Sequence, residues 1–119
     1  MAETVDAGNV DKVNESLILG GNIELVGFKQ VSLAEVLIVK KLVGSYTRKI
    51  QEHSSNFERI SVQLKEIHKI DNNSKHEIHI KLLDDGQAFS SEVVDKNLFV
   101  ALDSALKKVL GEITHHNKR

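Results

Sequence analysis

The side chains best suited to chemistry in this sequence are five cations in two separate stretches of the chain. Lys40, Lys41 and Arg48 lie in the first stretch, and Lys107 and Lys108 lie in the second. In both stretches apolar residues recur at three- and four-residue steps, which is typical of the buried face of a helix. The cations fall opposite that face. A row of this kind can bind the phosphates of a polyanion, and it is equally the ordinary solvated side of a helix.

Patterns for catalysis or metal binding are weak. The candidate carboxylates are scattered among Ser and His residues and follow no nucleophile-elbow, P-loop or zinc-protease motif: Asp71, Asp84, Asp85 and Asp103. His76 and His79 lie three residues apart, which on a strand directs them to opposite faces, so we do not expect them to share an ion. We therefore expect no enzyme activity, no metal site, no cofactor and no small-molecule substrate.

Length and composition limit the class of protein. A chain of 119 residues is about one domain, and the absence of Cys excludes disulfides. The uninterrupted apolar runs, such as Val36 to Val39, are too short to cross a membrane, for which about 20 residues are needed. The first residues lack the basic start and apolar core of a signal peptide, so a cytoplasmic location is expected.

With four Phe, one Tyr and no Trp, the chain has few rings on which bases could stack.

Charge is unevenly divided along the chain. The formal net charge is −1, but residues 1–21 carry −3 and the remaining residues carry +2. We interpret residues 1–21 as a flexible acidic leader and residues 22–119 as a single domain. For Leu17–Leu19 within the leader, a small strand lying on the domain is an equally good interpretation.

Periodicity predicts two amphipathic helices. The first begins at the capping box formed by Ser32 and Glu35 and ends near Gln51. The second begins at Asp95 or Asn97 and ends near the C-terminus. Their inward stripes are Val36, Val39, Leu42, Val43, Tyr46 and Ile50 in the first helix, and Leu98, Leu102, Ala105, Leu106, Val109 and Ile113 in the second.

Four strands complete the prediction. Residues 22–28 are the first strand, and alternation of apolar and polar residues predicts two more strands around Ile60–Leu64 and Ile78–Leu82. Residues 71–74 and the Asp84-Asp85-Gly86 sequence are typical of turns, so residues 87–94 form the last strand of a meander.

The predicted fold class is therefore α+β, with the order β-α-β-β-β-α. A strand-helix-strand connection crosses over with a right hand, which makes the first two strands parallel if they are neighbours. The four-stranded mixed sheet needs cover on one face, and two amphipathic helices lying side by side supply it. The outward cations of both helices would then form one basic surface.

Three segments resemble the ribosome hibernation-promoting and protein Y factors, which are small ribosome-associated inhibitors. Residues 97–110 (NLFVALDSALKKVL) match that family's polar cap, apolar pairs and Lys-rich helix. Residues 57–65 (FERISVQLK) and 22–27 (NIELVG) are similar to its second and first strands. The likeness covers about residues 22–118, and the chain is similar to the short members that have no ribosome-pairing domain.

This resemblance implies binding to the RNA of the small ribosomal subunit, in the channel used by messenger and transfer RNA, and inhibition of translation in resting or stressed cells. By the family's pattern, basic side chains on and beside the helices hold phosphates. The matching positions here are Lys40, Lys41, Arg48, Lys107 and Lys108, with Lys65 as a less direct match.

Two alternatives stay open at this stage. The chain could be a protein-interaction or self-associating module that uses the open sheet face and Leu37, Val100 or Leu17–Leu19. A double-stranded-RNA domain shares the α-β-β-β-α portion but leaves the first strand unexplained. Gly44 and Gly111, both on outward helix sides, either let an RNA backbone come close or reflect helix bending or close packing.

Overall fold

The protein forms a five-stranded sheet that carries two helices on one face. The computed structural model describes residues 16–18, 22–70 and 73–117. The elements are β1 (Ser16–Ile18), β2 (Ile23–Val26), α1 (Leu33–His53), β3 (Phe57–Ile70), β4 (Asn73–Asp84), β5 (Gln87–Asp95) and α2 (Leu98–His116). The strands lie in the order β1-β2-β3-β4-β5.

The predicted β-α-β-β-β-α arrangement is confirmed. Strands β2 and β3 are parallel, and β3, β4 and β5 are successive antiparallel neighbours. One strand precedes this arrangement, because Ser16–Ile18 pairs antiparallel with β2. The sheet thus has five strands where four were predicted, and the added strand overlaps the segment for which a small strand was the alternative. Residues 1–15 and 19–21, the rest of the predicted leader, lie outside the described residues.

Helix α1 begins where the capping box predicts. The Glu35 backbone N–H donates to Ser32 Oγ at 3.2 Å, and the Ser32 N–H donates to Glu35 Oε1 at 3.3 Å. The two contacts satisfy amides that have no partner within the helix. The C-terminal helix α2 is capped by Asn97, whose side-chain oxygen accepts from Phe99 and Val100. Neither helix, among the residues described, is long and apolar enough to span a bilayer.

The hairpin between β4 and β5 uses the turn that its residues predict. Asp85 and Gly86 both have positive φ, at 52° and 78°, and they connect the paired residues Asp84 and Gln87. A two-residue turn with positive φ at both positions matches the twist of the flanking strands. In the other hairpin the predicted turn, residues 71–74, is shorter than expected, because Asn73 and Ser74 already pair with β3 as the start of β4. Residues 71–72 lie outside the described part of the chain.

The core lies between the helices and one sheet face. The predicted inward residues of β3 and β4 are all buried, as are all those of α2 and all but Leu42 of α1, which is half-buried against the cluster. Gly27, at the end of β2, has φ +83°, and a Cβ there would collide with the Leu64 carbonyl oxygen. Only glycine allows β2 and β3 to approach this closely. The polar residues that alternate with the core residues lie on the other sheet face, and neither α1 nor α2 covers that face.

Asp84 has a structural role beyond the turn that the sequence predicted. Its side chain is 2% exposed and accepts hydrogen bonds from the Ser55 N–H at 3.0 Å, the Asn56 N–H at 2.6 Å and Asn117 Nδ2 at 3.1 Å. Burial alone would raise the pKa of Asp84, but these hydrogen bonds and the nearby His116 lower it below its usual value. One carboxylate therefore ties the α1–β3 loop to the end of α2.

Candidate nucleic-acid interface

Two hydrogen bonds join the helices along one side of the protein. Tyr46 Oη donates to Asp103 Oδ1 at 2.8 Å, and Asn117 Nδ2 donates to the His53 carbonyl at 2.7 Å. The second contact places both helix C-terminal ends together. The predicted side-by-side packing of the helices is therefore present, and their outward sides adjoin.

The predicted cations lie on those outward sides. Lys41, Arg48 and Lys108 are exposed, and Lys40 is half-buried. None of these four makes an ion pair with a carboxylate of residues 22–70 or 73–117. Their positive charges are thus available to an external anion.

Lys107 differs from the other predicted cations because a carboxylate lies beside it. Lys107 Nζ is 3.3 Å from Asp103 Oδ2, one helical turn away, and the Lys107 side chain is 68% exposed. The hydrogen bond from Tyr46 lowers the pKa of Asp103, and Lys107 and Lys49 lower it further against the opposing effect of burial. Asp103 is therefore a carboxylate at neutral pH, and it offsets part of the Lys107 charge.

Lys49 belongs to this surface, although it is not among the cations predicted from the sequence. Its Nζ lies 5.2 Å from the centroid of the Tyr46 ring, and its charge acts on Asp103 across the helix pair. The signal in the sequence was its position beside Arg48 and three residues after Tyr46, which places it at the edge of the apolar stripe. At such an edge a Lys side chain can lay its apolar stem along the buried face while its charge stays in solvent.

Lys65 lies away from the helix cations. In β3 the residues Ile60, Val62 and Leu64 face the helices, so Lys65 alternates to the open sheet face, opposite Glu77 of β4. It is exposed there. Lys65 is thus the one candidate residue on the open sheet face, whereas the other five lie on the helices that cover the opposite face.

The Tyr46 hydroxyl gives a test of the contact between the helices. Burial, together with the hydrogen bond to Asp103 and its charge, raises the pKa of Tyr46 to about 12. Because the folded pKa is raised, the associated stability is present below the ordinary tyrosine pKa of about 10 and is lost as the pH rises through the folded value. The chain has one Tyr and no Trp, so tyrosinate absorbance reports this group alone. We expect its midpoint near the raised value in the native protein and about 10 in denaturant; equal midpoints would contradict the contact.

The two outward glycines are open to substitution. A Cβ added at Gly44 or at Gly111 would meet no atom within 4 Å, so close packing with a described neighbour does not explain either residue. We expect Gly44→Ala and Gly111→Ala each to stabilise the protein by about 0.5–1 kcal/mol, because Ala loses less backbone entropy in a helix. Urea unfolding measures this effect, and a loss of stability in either variant would contradict it.

A second group of polar side chains lies on the open sheet face. His79 Nε2 contacts Glu77 Oε2, and His79 Nδ1 lies 3.1 Å from Glu92 Oε2. His76 is engaged elsewhere, since its Nδ1 lies 2.9 Å from the Lys96 carbonyl oxygen. Spacing along the chain does not reveal this group, because Glu92 belongs to a different strand from Glu77 and His79.

Comparison with known proteins identifies the fold. No family model and no curated protein matches the sequence. Among solved structures, a ribosomal subunit interface protein from Coxiella burnetii superposes with a TM-score of 0.53 at 12% identity, over 76% of this chain and 89% of that one. The N-terminal domain of protein Y from Thermus thermophilus gives a TM-score of 0.46 at 15% identity, over 66% and 82% of the two chains.

The protein thus has the α+β fold of a ribosomal subunit interface protein. The likeness predicted from three sequence segments is confirmed at the level of this fold. At such low identity, residue roles have to be argued from the side chains of this chain.

Proposed function

We propose that this protein binds the ribosome, through contacts of its helix surface with RNA of the small subunit, and that it inhibits translation by occupying that site. The observation that carries the proposal is the set of cations on the adjoining outward sides of α1 and α2. Lys41, Arg48 and Lys108 are exposed there without a carboxylate partner among the described residues. The fold that the chain shares with a ribosomal subunit interface protein also supports ribosome binding.

The chemistry of this surface suits phosphates rather than bases. Lys and Arg side chains neutralise phosphates and release counterions, which gives affinity without sequence readout. All five aromatic rings of the chain belong to buried or half-buried residues, namely Phe28, Tyr46, Phe57, Phe89 and Phe99. Stacking on bases is therefore a poor explanation of binding, and recognition of the shape of folded RNA is a better one.

Co-sedimentation with purified ribosomal subunits at increasing salt tests the proposal. We expect binding to the small subunit at low salt, with an affinity that falls steeply as salt is raised, because each phosphate contact releases a counterion. Added protein should also lower the yield of a cell-free translation reaction. Failure to co-sediment at any salt concentration would reject the proposal.

A specific observation also favours the alternative of a protein-interaction module. Leu33, Leu37 and Ile38 on α1 are 85%, 60% and 49% exposed, and Val100 on α2 is 48% exposed. Neighbouring exposed apolar side chains are typical of protein contacts. Light scattering separates the two functions: a salt-insensitive dimer that does not associate with ribosomes would favour the module.

A further inference from the structure

We propose that Glu77, His79 and Glu92 form a binding site for a divalent transition-metal ion, with Zn²⁺ as the best match, on the sheet face opposite the helices. The proposal is independent of ribosome binding, because the residues involved lie on the other side of the sheet from the helix cations.

Strand geometry brings the three side chains together. Glu77 and His79 are two residues apart in β4 and so point to the same face. Glu92 of β5 is the register partner of His79, and directly paired residues have Cβ atoms about 5 Å apart. Two positions on one strand and one on the next therefore converge on a single point above the sheet. One ligand atom from each residue lies within 4.8 Å of the others.

The donor set matches the ligands of zinc. Zn²⁺ binds imidazole nitrogen and carboxylate oxygen at about 2.0–2.2 Å, and sites with three protein ligands take water as the fourth. Tetrahedral coordination at this length needs donor atoms about 3.3 Å apart. His79 Nδ1 lies 3.1 Å from Glu92 Oε2, and His79 Nε2 contacts Glu77. One ion can bind only one of the two ring nitrogens, so the carboxylate at the other nitrogen has to turn toward the ion, and the more exposed Glu92 side chain is the one free to do so.

The contacts of His79 provide an electrostatic reason for a cation at this point. Each ring nitrogen of His79 faces a carboxylate, so negative charge lies on both sides of the imidazole. A bound metal ion would supply the positive charge between these carboxylates. The other groups on this face near the cluster are Gln63 and Lys65 of β3, paired with His79 and Glu77, and Lys81 of β4. Neither lysine makes an ion pair with the three ligands in the described residues.

The burial of the three side chains fits a site that is held in place and still open to solvent. The side chains of His79 and Glu77 are 25% and 22% exposed, whereas that of Glu92 is 66% exposed. The two less exposed ligands are held by the sheet, and the more exposed one is free to move onto the ion. The bound ion would link β4 to the edge strand β5.

Calorimetric titration of the untagged full chain with Zn²⁺ at neutral pH tests the proposal. We expect one saturable equivalent that is lost in His79→Gln and weakened about 10- to 100-fold in Glu92→Gln, with Mg²⁺ unable to compete. His76→Gln is the matched control, because it removes an imidazole from the same strand without touching the site. Zn²⁺ at a hundredfold excess over the dissociation constant should raise the Tm of the wild type by roughly 5–10 °C, and that of His79→Gln by less.

Two results would overturn the proposal. One is the absence of Zn²⁺ binding to the wild type. The other is binding that His79→Gln and Glu92→Gln leave unchanged, which would locate the ion at other histidines, such as His115 and His116. Circular dichroism confirms that both variants fold. Unchanged ribosome co-sedimentation of His79→Gln would separate this site from the proposed function.

Discussion

We expect the double variant Lys41→Glu, Lys108→Glu to bind the small ribosomal subunit roughly 100-fold more weakly than the wild type, because two phosphate contacts become repulsive. Both side chains are exposed and have no carboxylate partner among the described residues, so reversal leaves the fold intact. Co-sedimentation over a salt series measures the effect. The slope of log affinity against log salt should become less steep by about two units, one for each phosphate contact that is lost.

Lys108 is a better position for charge reversal than Lys107, because Lys107 lies beside Asp103. Lys107→Glu would place a carboxylate beside Asp103 and disturb the Tyr46 contact, so a loss of binding there would be ambiguous. The matched control is Arg59→Glu, Lys81→Glu, which makes the same change in net charge at exposed positions on the open sheet face. Equal loss of binding in both double variants would point to net charge rather than to a surface. Retention of binding by Lys41→Glu, Lys108→Glu would show that the helix surface is not the interface.

The largest effect on stability is expected from Asp84→Ala, which should lower the free energy of unfolding by about 3 kcal/mol. The substitution leaves the backbone N–H groups of Ser55 and Asn56 and the Asn117 amide without their acceptor in a buried location. Hydrogen bonds to a charged group are the stronger ones, and buried groups left without a partner are costly. Urea unfolding followed by circular dichroism measures the change.

The pH dependence of Asp84 has a definite sign. Because hydrogen bonding lowers its folded pKa below the usual 3.8, its contribution is complete above that value and is lost as the pH falls through the folded pKa. Asp84→Asn should therefore unfold more easily than the wild type at neutral pH and lose less stability on acidification. Asp85→Asn, which removes the same charge from the adjacent exposed turn position, should behave as the wild type. Equal stability of the two Asn variants would rule out the tethering role of Asp84.

Local pattern in the sequence was sufficient to predict most of the fold. Both helices were predicted from the three- and four-residue recurrence of apolar side chains, because a helix brings such positions onto one face. The capping box at Ser32 and the Asp85-Gly86 turn were predictable for the same reason, since each depends on contacts within a few residues. The short strand β1 was only an alternative, because three residues are too few to show a period and their pairing depends on β2.

The sequence assigned the candidate cations to particular helices and strands, but it did not determine how they lie relative to one another. Alternation in β3 already places Lys65 on the side opposite Ile60 and Leu64. Only the packed sheet shows that the helices, with their cations, lie on the Ile60 and Leu64 side. Lys49 was missed because its charge acts on Asp103, which belongs to the other helix and lies far away along the chain.

The sequence alone determined which residues form helices and strands and which of their faces are apolar, because these properties depend on periodicity over neighbouring positions. Tertiary structure decided which charged groups meet. Asp103 reaches Tyr46 across 57 residues of chain, Asp84 reaches Asn117 across 33, and Glu92 meets His79 through strand pairing. Electrostatic and hydrogen-bonding energies depend on distance in space, and for such pairs only the packing of the helices and the register of the strands sets that distance.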